Sequence, residues 1–215
     1  MTRVIVFDFD GVIVESVDIK TRAFAELFRG EGEDLVRQVV EYHLQNGGVS
    51  RYDKFRHIYA EMLKRPLPDQ EFEALCRGFA SLVLQGVVAA PYVPGALEFL
   101  QRHQGDCRIY LASATPLEEL CTILHARRIA GMFAGVFGAP TSKDEAVKQV
   151  IRETGATAGQ MLFVGDALSD YQAALVNGVP FVARISDNEE IFRGRRCDRV
   201  RDMVELESLL FPVHG

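Results

Sequence analysis

The 215-residue sequence contains few cysteines, and these are far apart. Its four cysteines, Cys76, Cys107, Cys121 and Cys197, form no Cys-x-x-Cys pair. Structural zinc sites and disulfide frameworks both depend on a regular cysteine spacing, so neither is expected here. Scattered reduced thiols are typical of a reducing compartment, and the chain is therefore predicted to be cytoplasmic.

The sequence also lacks an excess of basic charge. Asp and Glu total 30 against 24 for Lys and Arg, which gives a net charge of -6. Non-specific nucleic-acid binding depends on a basic face that neutralises phosphates, so a nucleic-acid partner is not expected. This charge balance still permits a small basic pocket for an anionic ligand.

A long uninterrupted apolar run is missing as well. A membrane-spanning helix needs roughly 20 predominantly apolar residues, and no run in this sequence approaches that length. The apolar start of the chain is interrupted by Asp8 and Asp10, and no small-residue cleavage site follows it. Neither a membrane partner nor a signal peptide is therefore predicted.

The pattern of apolar residues changes near residue 94. The short β-branched run at residues 4–7 is typical of a buried strand. Four amphipathic helices are predicted next, at residues 16–29, 34–45, 51–64 and 69–84, and together they would form a small bundle. Further on, helices at 95–103, 116–128, 142–154, 168–176 and 203–210 alternate with strands at 107–112, 135–137, 161–164 and 180–183. This alternation predicts an α/β fold with a Rossmann-like parallel sheet.

The first strand must pair with the later strands, because a lone strand is not stable. Residues 1–15 and 92–215 are therefore predicted to form one α/β core domain. The helical segment at residues 16–91 then becomes an insertion, a helical-bundle cap domain.

Polar side chains follow several of these predicted strands: Asp8, Asp10, Ser113, Thr115, Lys143, Asp166 and Asp170. Each has an ordinary structural explanation, such as a helix cap or an exposed helical residue. The carboxyl ends of parallel strands, however, meet at one edge of a sheet, where α/β proteins bind their ligands. The coincidence of all these groups at that edge favours a shared site.

The residue types in this predicted site also suit one chemistry. Clustered carboxylates repel one another unless a cation neutralises them, and oxygen ligands suit Mg²⁺. A lysine, a hydroxyl and helix N-termini nearby favour an anion such as phosphate. One aspartate can then attack phosphorus as a nucleophile, and the other can act as acid and base.

Four segments resemble the motifs of the haloacid dehalogenase (HAD) superfamily. They are DFDGV at residues 8–12, LAS ending at Ser113, Lys143, and GDALSD at residues 165–170. The insert after the first motif looks like the helical cap of the phosphoglycolate phosphatase and β-phosphoglucomutase branch. The resemblance covers the chain in the family's motif order, and it implies a Rossmann-like core with an inserted cap.

The resemblance implies catalytic roles for four residues. Asp8 would be the nucleophile, and Asp10 would protonate the leaving oxygen and then activate water. Ser113 would hydrogen-bond to the transferring phosphoryl group. Lys143 would balance the charge of that group and of Asp8.

The resemblance also implies Mg²⁺ as the cofactor. Asp8 and Asp166 would bind it through their carboxylates, and Asp10 would bind it through its backbone carbonyl. Asp170 would orient the waters of the metal or supply a further ligand.

The loop Asn46-Gly47-Gly48-Val49-Ser50-Arg51 separates two predicted cap helices. It looks like the substrate-contacting cap loop of the β-phosphoglucomutase branch, which also carries a Ser-Arg pair. Arg51, with Lys54, is therefore predicted to bind substrate, although a simple helix connector is an equal alternative. Lys20, which is more readily explained as a surface lysine, and Ala114 beside Ser113 complete the predicted substrate-binding residues.

These features predict a Mg²⁺-dependent phosphatase that hydrolyses a small phosphorylated metabolite through an aspartyl-phosphate. The substrate would be a small-molecule phosphate ester, either a sugar phosphate or a phosphoglycolate-like acid. One alternative is a phosphomutase like β-phosphoglucomutase. Another is a catalytically silent binding or regulatory protein that keeps the HAD fold. The sequence carries no prediction of the oligomeric state.

Overall fold

The computed structural model describes residues 4–186 and 189–212. Its strands form one parallel sheet in the order β3-β2-β1-β4-β5-β6. They are β1 (Val4–Phe7), β2 (Arg108–Pro116), β3 (Gly135–Ala139), β4 (Met161–Gly165), β5 (Phe181–Arg184) and β6 (Asp198–Val200). The central position of β1 confirms that the first strand pairs with strands far along the chain.

Helices connect these strands and also form the insert after β1. The helices are α1 (Val17–Leu27), α2 (Glu33–Gln45), α3 (Arg51–His57), α4 (Asp69–Ala89), α5 (Ala96–His103), α6 (Leu117–Ala126), α7 (Lys143–Thr154), α8 (Leu168–Val176) and α9 (Met203–Leu210). The segment from α1 to α4 is called the helical insert below. Its treatment as a separate cap domain, residues 16–91, remains a prediction.

The sheet is covered on both faces. Ile5 and Phe7 of β1 belong to one apolar core together with α5 and α6. Val4 and Val6 point to the other face and belong to a second core with α7 and α8. All four side chains are buried, which explains why this strand is apolar throughout rather than alternating. The α/β fold predicted from the sequence is confirmed.

An aromatic cluster fills the centre of the helical insert. The ring centroid of Phe24 lies 5.6 Å from that of Phe55 and 4.8 Å from that of Phe79. These three rings are almost completely buried, and the cluster is continuous with the core beneath α5 and α6. Burial of such large apolar side chains holds the insert helices together and against the sheet domain.

Helix α4 is longer than predicted, because it continues past Leu84 to Ala89. Gly86, which suggests a helix end in the sequence, lies inside it. A Cβ atom at this position would lie 3.0 Å from Cγ2 of Ile19, so glycine lets α1 pack closely against α4. The packing gained there opposes the low helix propensity of glycine, which costs about 1 kcal/mol.

One helix in the described part of the chain, α4, has the length and hydropathy of a membrane span. It has 21 residues, and its most apolar window has a mean hydropathy of 1.4. The helix is not an uninterrupted apolar run, because Glu73 and Arg77 lie within it. Only 17% of that window is buried in the protein, including Phe79, Val83 and Val87, and one such helix is weak evidence because other kinds of helix share this length and composition. These two properties alone therefore do not indicate a membrane.

Two further elements differ from the sequence prediction. The predicted third helix of the insert is α3 followed by a π-helical turn at Ile58–Met62. No pattern in the sequence predicts β6, in which Asp198 and Arg199 are exposed and Val200 is buried. Charged residues are common on edge strands, and they hide the period of two that identifies a strand.

Candidate active site

The predicted catalytic residues of the core meet at the carboxyl ends of the central strands. Asp8 follows β1, Ser113 lies within β2 and Asp166 follows β4. Lys143 and Asp170 come from the first turns of α7 and α8, which begin at the same edge of the sheet. Local helix starts thus add a cation and a further carboxylate to the strand-end groups.

Three carboxylates form a compact cluster in this site. One oxygen from each of Asp8, Asp166 and Asp170 lies within 4.8 Å of the others. Burial raises the pKa of Asp8 to about 7; Lys143 opposes this rise, while Asp170 and Asp10 add to it. Burial, with the charges of Asp8 and Asp170, also raises the pKa of Asp166 well above its usual value. This crowding of negative charge in a dry site favours a bound cation.

Lys143 joins two members of this cluster. Its Nζ lies 2.8 Å from Oδ2 of Asp8, and it also donates to Asp170. Burial by itself would lower the pKa of Lys143, but the charges of Asp170 and Asp8 outweigh burial and raise it. Ser142 caps α7 by accepting a hydrogen bond from the backbone N–H of Glu145 at 3.2 Å. The cap begins the helix at the residue whose side chain enters the site.

Two glycines make room for the carboxylates. Gly11 has a φ of +75°, and a Cβ atom there would lie 2.2 Å from Oδ2 of Asp166. A Cβ atom at Gly165 would lie 2.3 Å from Cβ of Asp170. Asp170 is fully buried, and its Oδ2 accepts a hydrogen bond from the backbone N–H of Ala167 at 3.0 Å. Glycine is therefore required at both positions, because Asp166 and Asp170 approach the backbone too closely for a Cβ atom.

Asp10 lies beside the carboxylate cluster and has its own partners. Its carboxylate accepts hydrogen bonds from Ser16 at 2.6 Å and from Thr115 at 3.2 Å, and it pairs with Lys20. Burial raises the pKa of Asp10, but Lys20 and these hydrogen bonds outweigh burial and hold it below its usual value. Lys20, a predicted substrate ligand, is thus engaged by Asp10 and also donates to Thr115 at 2.8 Å.

The sequence does not identify Ser16 as a site residue, and it places Thr115 only among the polar residues that follow the strands, with no assigned role. Ser16 precedes α1 and suggests a helix cap, but its side chain makes no capping hydrogen bond and instead bonds to Asp10. Thr115 is buried, and its backbone N–H donates to Oγ of Ser113 at 3.1 Å. In the sequence, only the position of Thr115 two residues after Ser113 suggests that it belongs to the site.

The glycine-rich loop of the insert lies directly on this site. Oγ of Ser169 in α8 donates to the carbonyl of Gly47 at 3.2 Å. Gly48 has a φ of +70°, and a Cβ atom there would lie 2.9 Å from Nζ of Lys143. Every residue type other than glycine has a Cβ atom that would fill this space. The paired glycines therefore allow the loop to reach the core.

Arg51 follows this loop and is held by a carboxylate of the core. Ser50 caps α3 by accepting from the backbone N–H of Asp53 at 3.2 Å. The Arg51 side chain is buried, and its Nη2 lies 2.5 Å from Oε2 of Glu119 in α6. Its guanidinium also lies 4.7 Å from the centroid of Phe79. The sequence does not indicate that Glu119 is a functional residue, because acidic residues are common in the first turn of a helix.

Lys54, one turn further along α3, is buried beside a histidine. Its Nζ lies 2.9 Å from Nδ1 of His43 and donates to the His43 carbonyl at 3.2 Å. Burial, together with the charges of Lys20 and Lys143, lowers the pKa of Lys54 to about 7. Burial, with the Lys54 charge, lowers the pKa of His43 to about 3, so this histidine is neutral.

A cavity of about 650 Å³ lies between the helical insert and the ends of the strands. Asp8, Asp10, Asp166 and Thr115 line it on the core side. The four predicted substrate-binding residues, Lys20, Arg51, Lys54 and Ala114, also line this cavity. The structure therefore brings three of the predicted carboxylates, Asp8, Asp10 and Asp166, and the four predicted substrate-binding residues to one cavity.

Residues 2–178 match the family profile of the haloacid dehalogenase-like hydrolases. The chain belongs to this family. The match confirms the resemblance seen in the sequence motifs, and it covers the carboxylate cluster, Lys143 and the helical insert.

Similar proteins include phosphatases of the same family. A phosphoglycolate phosphatase from Pseudomonas savastanoi pv. phaseolicola is 28% identical over 205 residues, covering 85% of this chain and 69% of the relative. The fold resembles a predicted phosphoglycolate phosphatase from Haemophilus somnus, with a TM-score of 0.75, 17% identity and coverage of 97% and 98% of the two chains. It also resembles magnesium-bound YfnB, a HAD hydrolase from Bacillus subtilis, with a TM-score of 0.71, 15% identity and coverage of 97% and 98%.

Proposed function

We propose that this HAD-family hydrolase is a phosphatase that cleaves a small phosphate monoester, with Asp8 as the nucleophile. The arrangement of Asp8 carries this proposal, because it lies at the cavity wall, paired with Lys143 and next to two further carboxylates. Phosphoryl transfer depends on positioning and on neutralising the charge of the phosphoryl oxygens. The phosphoglycolate phosphatase relatives support the same reaction class.

Mg²⁺ is the proposed cofactor, and the residues present fit it. Asp8 and Asp166 would hold it with the backbone carbonyl of Asp10, while Asp170 would orient its waters. Burial and the neighbouring carboxylates raise the pKa values of Asp8 and Asp166, so a cation between them would be stabilising, and an oxygen-only donor set suits Mg²⁺. When bound, Mg²⁺ supplies positive charge to the phosphoryl oxygens.

The proposed reaction has two steps. A carboxylate oxygen of Asp8 attacks phosphorus, the ester P–O bond breaks, and the leaving oxygen takes a proton from Asp10. Water then attacks the aspartyl-phosphate while Asp10 takes its proton, which releases phosphate and restores the Asp8 carboxylate.

The surroundings of Asp10 suit these two roles. Its ion pair with Lys20 favours the ionised form, which is the form that accepts a proton from water. A negatively charged phosphoryl group nearby raises a carboxyl pKa, which favours the protonated form in the first step.

Ser113 and Lys143 are proposed to hold the phosphoryl group. Oγ of Ser113 accepts from the backbone N–H of Thr115, which leaves the hydroxyl proton of Ser113 available for a phosphoryl oxygen. Lys143 remains charged in the site and can compensate the negative charge of both Asp8 and the phosphoryl group. These interactions strengthen as charge develops on the transferring group.

The helical insert is proposed to act as a cap over the substrate. Its loop contacts α8 through Gly47 and Ser169, and Arg51 pairs with Glu119 in α6. Such closure excludes water from the reacting groups and completes the substrate-binding surface. YfnB, the magnesium-bound relative, undergoes interdomain movement.

The phosphomutase alternative is less well supported than the phosphatase. A mutase of this kind must bind a bisphosphate, so a second dianionic group needs cations in the insert. Arg51, which the sequence predicts to bind substrate, is paired with Glu119 and therefore offers no net positive charge to such a group. The catalytically silent alternative conflicts with the complete set of Asp8, Asp10, Ser113 and Lys143 in one site.

A phosphate-release assay tests the proposed function. A panel of sugar phosphates, phosphoglycolate and nucleotides is incubated with Mg²⁺ or with EDTA, using the wild type, Asp8→Asn and the exposed control Asp34→Asn. We expect Mg²⁺-dependent release by the wild type and by Asp34→Asn, and a loss of at least about 1,000-fold in Asp8→Asn. Full activity of Asp8→Asn contradicts the proposal. Isomer formation without net phosphate release identifies a mutase, and no reaction with any compound supports the silent alternative.

A further inference from the structure

The cavity wall carries four cations, and three of them are already paired with carboxylates. The pairs are Lys20 with Asp10, Arg51 with Glu119, and Arg184 with Glu15. The fourth cation, Lys54, has no carboxylate within 4.0 Å among residues 4–186 and 189–212. The wall of the cavity therefore has one basic side chain that is not paired with a carboxylate in the described part of the chain.

This charge is held at a position where burial disfavours it. Lys54 is only 2% exposed, and both of its hydrogen-bond partners are uncharged atoms of His43. A buried ammonium without a carboxylate is costly, and neutral hydrogen-bond acceptors offset only part of that cost. An anionic group in the cavity would offset the rest.

We propose that Lys54, positioned by His43, is the specificity-determining residue that binds a carboxylate on the leaving-group side of the substrate. This inference rests on the proposed phosphatase function and names the feature of the substrate that the helical insert recognises. A carboxylate carries one negative charge and matches the one uncompensated cation. A second phosphate would carry about two negative charges, and the other cations of the wall are already neutralised.

His43 fixes the direction of the ammonium. It lies on α2, and its ring packs on Phe24 with 4.6 Å between the ring centroids. Because its imidazole is neutral, Nδ1 can accept a hydrogen bond from Lys54 without repelling the cation. Two acceptors on one residue leave the third ammonium proton for a ligand.

The position of Lys54 also indicates a short substrate. Lys54 lines the same cavity of about 650 Å³ as Asp8 and Asp10. A carboxylate bound to Lys54 is therefore separated from the reacting phosphoryl group by a short carbon chain. The loop at Gly47 and Gly48, which lies on α8 and Lys143, further limits the length of the substrate.

A matched pair of substrates tests this inference. Phosphoglycolate carries a carboxylate, whereas 2-hydroxyethyl phosphate has a hydroxyl-bearing carbon in its place. We expect wild-type protein to prefer phosphoglycolate, and Lys54→Met to lower its kcat/KM by about 10- to 100-fold, the range for a charge-assisted hydrogen bond. The kcat/KM for 2-hydroxyethyl phosphate should change by about threefold at most. Lys54→Arg, which keeps the charge, should retain most of the preference.

A variant of His43 tests its positioning role. His43→Leu should reduce the ratio of the two kcat/KM values while sparing 2-hydroxyethyl phosphate, and the exposed control His125→Leu should leave the ratio unchanged. Thermal unfolding of each variant shows whether it is folded. An equal loss on both substrates in Lys54→Met overturns the inference, because Lys54 would then act on the shared phosphoryl group or on the fold.

Binding measured in EDTA separates this inference from the proposed function. Calorimetry with each compound compares their affinities for wild-type protein and for Lys54→Met without relying on turnover. A preference for phosphoglycolate that depends on Lys54 supports the inference even where no phosphate is released, and in that case only the proposed function fails. Equal affinities of the wild type for the two compounds overturn the inference, whatever esters the enzyme hydrolyses.

Discussion

Arg51 of the helical insert and Glu119 of α6 form an ion pair of 2.5 Å across the boundary between insert and core. Their side chains are only 6% and 11% exposed, so each depends on the other for charge compensation. The pair both joins the two parts of the protein and removes the net charge of the guanidinium at the cavity wall.

Replacement of Glu119 should therefore change both substrate preference and stability. In Glu119→Gln, Arg51 becomes a second uncompensated cation beside Lys54. We expect kcat/KM for esters with a second phosphate to rise by about 10-fold relative to monophosphates, and unfolding in urea to show a loss of about 1–3 kcal/mol. The exposed neighbour variant Glu118→Gln is the matched control and should alter neither. An unchanged substrate profile in Glu119→Gln would show that the pair does not set the charge of the cavity.

Gly11 is predicted to be irreplaceable even by alanine. A Cβ atom at this position would lie 2.2 Å from Oδ2 of Asp166, and the φ of +75° adds backbone strain. Gly11→Ala should displace Asp166, raise the Mg²⁺ concentration needed for half-maximal activity by at least about 10-fold and lower stability by about 1–3 kcal/mol. Activity titrated with Mg²⁺, together with urea unfolding, measures both effects.

Gly30 provides the control for this substitution. No atom lies within 4 Å of a Cβ built at Gly30, so Gly30→Ala should behave like the wild type. If Gly11→Ala and Gly30→Ala had the same Mg²⁺ requirement and the same stability, the close approach of Asp166 to Gly11 would not affect function.

The buried charge of Lys54 predicts a stability that depends on pH. Its pKa is about 7 in the folded protein, compared with 10.5 for an unperturbed lysine. Between these values the unfolded chain binds a proton that the folded protein does not, so this group makes the wild type more stable as pH rises. Lys54→Met lacks this effect and should be more stable than the wild type by roughly 4 kcal/mol at pH 7, with a difference of only about 1 kcal/mol near pH 10.

Urea unfolding of both proteins from pH 6 to pH 10 measures this difference. Lys148→Met, which removes a half-exposed lysine paired with Asp144, is the control and should not show a gain at pH 7. A difference between Lys54→Met and wild type that stays constant over this range would mean that Lys54 keeps an ordinary pKa. In that case the lysine does not carry a destabilising buried charge.

Short-range patterns account for the part of the fold that was predicted correctly. A strand buried on both faces, such as β1, is apolar throughout, and an amphipathic helix repeats its apolar residues every three to four positions. Both signals are local, so the order of the nine helices given above and of strands β1 to β5 was readable from the sequence. Helix α4 extends past Gly86 because Ile19, a distant residue, occupies the space beside it. Strand β6 depends on pairing with β5 rather than on its own composition.

The predicted catalytic set was accessible from the sequence for a related reason. Asp8, Asp10, Lys143, Asp166 and Asp170 come directly after strands or at helix starts, where parallel sheet geometry brings side chains together. The partners of these residues were not accessible. Lys20 bonds to Thr115, which is 95 positions away, and Arg51 bonds to Glu119, which is 68 positions away.

The sequence by itself thus determined the order of the elements other than β6, and the strand-end carboxylates, because each depends on neighbouring residues. Only the tertiary structure decided which charges are compensated. It paired Arg51 with Glu119 and Lys20 with Asp10, and left Lys54 with the neutral His43. Compensation depends on distances of a few ångströms between segments that the chain separates. No local pattern encodes those distances.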